Sequence, residues 1–152
     1  MAGLASTIDR DTVVRELNSL IHLEFDAASA YESALERIES ESLRQRLRAY
    51  QADHDRHTRL LADAVRRFDG KPTNAGDFRK VLTKGKVLLA SLGSDNSILA
   101  ALRANAEQTN AAYEKSIQKL ASEPALADLL RANMDDARRQ CQWLESALDA
   151  SP

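Results

Sequence analysis

Side chains suited to a helix-facing core recur at alternating steps of three and four. One series runs Val14, Leu17, Ile21, Glu24, Ala28, Tyr31, Leu35 and Ile38, and a second runs Leu43, Leu47, Tyr50, His54, His57, Leu61, Ala64 and Phe68. That period is the signature of helices laying one face against a bundle core. No glycine or proline falls between Gly3 and Gly70, a span too long for one ordinary helix. A turn must therefore be made by other residues, and the cluster Glu39-Ser40-Glu41-Ser42 supplies it, because a serine oxygen can accept from an orphan N–H at a helix start. The pattern predicts helices at about 9–39 and 42–69, the latter closed by Gly70 as its C′ residue.

The layout repeats after Gly93. Ser94-Asp95 caps a helix at about 96–120, and Ser122-Glu123-Pro124 opens another at about 124–148, with proline tolerated in the first turn. The third stripe reads Ile98, Leu102, Ala106, Thr109, Tyr113, Ser116 and Leu120. Between the two pairs, residues 71–95 form a long crossover carrying an amphipathic run, Phe78, Val81, Leu82, Leu88 and Leu92, which reads as a short extra helix. A hairpin needs only a few residues, so a segment this long returns the chain along the bundle and sets helices 2 and 3 parallel.

The chain also echoes itself. A shift of 83 lays Leu43, Leu47, Arg48, Ala49, Asp53 and Leu61 on Leu126, Leu130, Arg131, Ala132, Asp136 and Leu144, and Glu24 on Glu107; Tyr31-Glu32 meets Tyr113-Glu114 at a shift of 82. Two related helical hairpins are expected.

Composition agrees with this all-α reading. Ala and Leu supply 46 residues and Val with Ile only 10, against 5 Gly and 3 Pro in 152 residues, a mixture that strands do not use. The length fits one domain, 1–152. A 29% charged fraction with a net charge of -2 argues against a nucleic-acid binder, and Arg44, Arg46, Arg48, Arg66 and Arg67 read as a solvated face. The single Cys141 excludes an intrachain disulfide and reads as a small buried filler. The start, Met1 to Thr7, has no basic and apolar leader pattern, and no stretch is apolar enough to span a membrane, so the expected location is cytoplasmic. Gly-rich phosphate loops, zinc-finger spacings and acyl-transfer triads are absent, no small-molecule substrate can be named, and no catalytic residue stands out.

The chemistry lies in the first two stripes. With a turn near residue 40, Glu24 falls level with residues 54–57, so a carboxylate and the His54-x-x-His57 pair share one depth in the core. Such a set suits Zn, Fe, Mn or Cu. It also suits a buried polar network in which Tyr31, Tyr50 and Tyr113 hydrogen-bond to the same groups. His22 sits off the stripe and should be exposed, while Trp143 suits either the core edge or a homodimer face.

Leu17-Asn18-Ser19-Leu20-Ile21 leading to Glu24 and Tyr31-Glu32, Leu47 to His57, the Thr83-Lys84-Gly85 crossover, and Ala111-Ala112-Tyr113-Glu114-Lys115 together resemble the ferritin-like superfamily. Within it the layout is most similar to a bacterial group of small four-helix-bundle domains without an established function. The resemblance implies a di-iron set of one Glu on two helices and Glu-x-x-His on the other two. Glu24 and His57 match it. His54 stands where a bridging Glu belongs, Glu107 falls off its stripe, and Ala137 and Gln140 replace the last pair. Two readings follow: a non-catalytic bundle without a complete di-iron site, acting through binding or assembly, or a metal-binding or di-iron oxidoreductase, ferroxidase or rubrerythrin-like, using Glu24, His54 and His57; the cofactor such a set suits is one Fe, Zn or Mn ion.

Overall fold

The computed structural model describes residues 8–74 and 93–150. Four helices account for most of them: α1 (Arg10–Arg37), α2 (Glu41–Arg67), α3 (Asp95–Lys119) and α4 (Pro124–Asp149). Each lies within two residues of its expected bounds. The short crossover helix, with Phe78, Val81, Leu82, Leu88 and Leu92, falls outside the described residues, as does the Thr83-Lys84-Gly85 stretch.

The helix ends follow from local chemistry. Ser40 caps α2 by accepting from the Leu43 N–H, and Ser94 with Ser97 forms a reciprocal capping box on α3. Arg44 turns back to donate to the Leu35 and Ile38 carbonyls, satisfying the end of α1. At the end of α2 the expectation for Gly70 needs correcting. The left-handed residue is Asp69, with φ 58°, and the Asp69 and Gly70 N–H groups donate to the Arg66 and Val65 carbonyls in a Schellman arrangement. Gly70 is there for space: a Cβ on it would sit 2.6 Å from a Val14 methyl.

Side-chain contacts fix the topology. Glu24 meets His54 on α2 and Tyr113 on α3, while Glu16 meets Ser116 and the Glu39 N–H donates to Asp95. Thus α1 runs antiparallel to both α2 and α3, and α2 and α3 are parallel, as the long crossover requires. Asp136 and Gln140 of α4 meet His57 and His54 of α2 in antiparallel order. This is a ferritin-like four-helix bundle.

The buried faces match the expected stripes with one rotation. α3 buries every position expected of it. On α1 the core takes Val13 and Ala27 at 0% exposure, leaving Val14 and Ala28 half-buried, because Leu20 and Ala34 also turn inward and widen the stripe. Two apolar clusters fill the ends of the bundle, one around Leu17, Leu61 and Leu130 and one around Leu47, Leu102 and Leu144. Between them lies a buried polar layer of Glu24, His54, His57, Thr109, Asn133 and Gln140.

Candidate metal centre

Glu24, His54 and His57 meet in that layer, fully or nearly fully buried, with one possible ligand atom of each within 4.8 Å of the others. His54 Nδ1 is 2.7 Å from Glu24 Oε2, and His57 Nδ1 is 3.4 Å from Glu24 Oε1. The second contact lacks hydrogen-bond geometry, so His57 Nδ1 is a buried polar atom without a hydrogen-bond partner.

Hydrogen-bond accounting on the outer side of each ring decides the tautomers. His57 Nε2 lies 2.8 Å from Asp136 Oδ2, and an ionised carboxylate only accepts, so Nε2 carries the proton. His54 Nε2 lies 2.8 Å from Gln140 Oε1. The amide orientation of Gln140 is itself set by Asp53, which accepts from Gln140 Nε2 at 3.2 Å, so His54 Nε2 must donate as well. Both inner nitrogens then point at a carboxylate. In neutral rings, two lone pairs face two acceptor oxygens, an arrangement that requires either added protons or a cation between them.

Tyr113 donates to Glu24 Oε1 at 2.5 Å and accepts from Asn133 at 3.3 Å. Tyr31 donates to Gln140 Oε1 at 3.4 Å and stacks on the His54 ring, centroids 5.4 Å apart. Tyr50 stands apart from the network expected of it: half-buried, it packs edge-on between Tyr31 and Trp143, and Arg46 lies over the Trp143 ring. His22 is half-buried, with Nε2 3.2 Å from Thr73 Oγ1.

Electrostatics reflect the packing. Burial would raise the Glu24 pKa, but the hydrogen bond from His54 and the His57 ring overcome it and hold the carboxyl at about 2. Burial would lower the His57 pKa, yet Glu24 and Asp136 outweigh it and raise it above the ordinary value. Burial pushes the Tyr113 hydroxyl well up, helped by the Glu24 charge.

Three participants were not read as such from the sequence: Asp136, Asn133 and Gln140. Asp136 carried a signal, since it repeats Asp53 at a shift of 83. The α1/α3 relation obeys 82 instead: Leu17, Leu20, Glu24, Ala27, Tyr31, Ala34 and Ile38 map onto Leu99, Leu102, Ala106, Thr109, Tyr113, Ser116 and Leu120, all buried. The counterpart of Glu24 is therefore Ala106, and Glu107 lies exposed on the other side, one residue or about 100° around the helix. Glu107 instead clusters with Cys141 and Glu145, beside Arg103. The second hairpin offers Ala106, Ala137 and Gln140 where the first offers Glu24, His54 and His57.

Residues 12–119 match a family described as a domain of unknown function (DUF2383). The chain belongs to this family. Solved structures with the same fold include a chain from Bacteroides fragilis described as a dodecameric, bacterioferritin-related thioferritin, at 15% identity and TM-score 0.80 over 96% of this chain and 89% of that one. A Dps from Thermosynechococcus elongatus aligns at 17% identity and TM-score 0.81, covering 97% and 96%. A ferritin-like diiron-carboxylate protein from Bacillus anthracis aligns at 17% and 0.74, covering 93% and 99%. No curated protein matches the sequence. Among the described residues no helix is long and apolar enough to cross a membrane.

Proposed function

We propose that this protein binds a single divalent transition metal in its first hairpin, through Glu24 and the Nδ1 atoms of His54 and His57, and that it is a metal-binding bundle rather than a di-iron oxidase. One observation carries the reading: the outer nitrogens of both imidazoles are committed as donors, so both inner lone pairs converge on one carboxylate. A cation there would let both rings stay neutral. Two ligands about 2.1 Å from a tetrahedral ion stand about 3.4 Å apart, which is the His57 Nδ1 to Glu24 Oε1 separation. His54 Nδ1, 2.7 Å from Glu24 Oε2, would have to move outward to admit the ion.

The surrounding groups suit that role. Asp136 behind His57 and Gln140 behind His54 orient the rings, as outer partners of metal-bound histidines do, and Tyr113 holds Glu24. Two nitrogens and an oxygen suit Zn, Fe, Mn or Cu, and three protein ligands leave a position for water, where a bound metal supplies Lewis acidity. Ala106, Ala137 and Gln140 offer no second carboxylate-bridged position.

A second reading rests on the same contacts. With His54 and His57 both protonated, the centre is a metal-free ionic network, and the raised His57 pKa supports it. Titration with Co(II) separates the two. A saturable visible spectrum of a nitrogen- and oxygen-ligated ion supports the metal centre, and no spectrum at millimolar Co(II) supports the network. Self-association, the homodimer included, completes the proposal; the dodecameric Bacteroides neighbour supports it, and sedimentation of the intact chain tests it.

A further inference from the structure

The α2/α4 seam is the least closely packed of the four neighbouring helix contacts, and it carries a matched set of charges. Asp53 with Arg56 and Asp136 with Arg139 are the same pair, three residues apart, on helices related by the 83-residue repeat. Arg56 breaks the symmetry. Its guanidinium holds Asp53 at 3.1 Å and reaches across the seam to Asp136 at 2.7 Å, so one cation clasps both carboxylates.

Behind this clasp each carboxylate leads inward. Asp136 contacts His57, and Asp53 reaches His54 through Gln140. Exposure falls stepwise along the route: the Arg56 side chain is 47% exposed, Asp53 28%, Asp136 17% and His57 0%. The route ends at His57, whose Nδ1 is a buried atom without a hydrogen-bond partner.

We infer that Asp53, Arg56 and Asp136 form the cation gate of the buried centre, the two carboxylates drawing a divalent cation to the seam and Arg56 holding it shut. The inference rests on the metal reading above and adds the path and its guard. With Arg56 between Asp53 and Asp136, and Arg139 on the other oxygen of Asp136, two guanidiniums balance two carboxylates and attract a dication only weakly; with Arg56 gone, Asp53 loses its partner, Asp136 keeps only Arg139, and the seam carries a net negative charge. Exposed ion pairs add little to folding, so removing Arg56 leaves the bundle intact.

The test is stopped-flow uptake of Co(II) by the full chain. Arg56→Ala should take up Co(II) about tenfold faster at low ionic strength, with the gain fading in high salt as screening shortens the field. Asp53→Asn should slow uptake by a comparable factor, and Arg56→Lys, which keeps the charge, should restore a rate close to that of the original protein. Both Arg56 variants should bind the same amount of Co(II) at equilibrium as the original protein. Saturable binding at an unchanged rate in both Arg56→Ala and Asp53→Asn overturns the gate and leaves the metal centre standing. No Co(II) bound by the unaltered protein at equilibrium overturns the metal centre, and the gate with it.

Discussion

Asp136 accepts from Nε2 of His57 at 2.8 Å, and through that contact, made across the α2/α4 seam, it turns the free nitrogen of the ring toward Glu24. The relationship makes a residue of the second hairpin part of a site built on the first. Asp136→Asn should lower metal affinity by about 10- to 100-fold, the usual effect of removing an outer partner of a metal-bound histidine. Competition with a chromophoric chelator measures it; unchanged affinity would mean that the tautomer is set elsewhere.

Tyr113→Phe removes the 2.5 Å donor to Glu24 and leaves a buried carboxylate oxygen short of a partner. The metal-free protein should lose about 1–3 kcal/mol in urea unfolding. Tyr50→Phe, at a ring whose role is packing, should cost less than about 0.5 kcal/mol.

The acid side of the stability profile belongs to Glu24. Its folded pKa of about 2 lies below the ordinary 4.5, so its ionisation stabilises the fold above pH 4.5, and that contribution is lost as pH falls from 4.5 toward 2. The loss should be on the order of 3 kcal/mol, and Glu24→Gln should flatten the profile across this interval. His57 acts in the opposite sense. Its raised pKa makes the metal-free fold lose stability as pH rises from 6.5 through the folded value. Denaturation across pH, with and without Glu24→Gln, checks both signs; parallel acid limbs would contradict the assignment.

Gly70→Ala should destabilise the bundle by about 1–3 kcal/mol, since its new methyl would press on the Val14 side chain. Gly93→Ala meets no neighbouring atom within 4 Å and should be near neutral or slightly stabilising. Thermal melts of the two variants compare them directly.

The helices were legible because their signals are local: Ser40, Ser94 and Pro124 mark starts, and three-four spacing marks faces. Glu24, His54 and His57 were legible for the same reason, since antiparallel pairing about a short turn fixes their depth. The rest depended on packing between hairpins. Asp136 lies at the seam margin, outside the central stripe, and only the pairing of α2 with α4 brings it to His57. Glu107 shows the limit of the repeat. A one-residue difference between the 82 and 83 registers turns a carboxylate from core to solvent, and identity alone does not choose between them. At Asp69 the left-handed position went to the residue before the expected glycine, because the Gly70 site was needed for the close approach of Val14.

The most direct test of the single-metal account is metal stoichiometry by elemental analysis, after loading with Fe(II), Zn(II) or Mn(II), on the original chain, His57→Ala and Glu107→Ala. A single metal centre in the first hairpin gives one ion per chain in the original and in Glu107→Ala, and none in His57→Ala. Two ions per chain, or equal loss of metal from both variants, would contradict it and return the centre to a two-metal site spanning both hairpins.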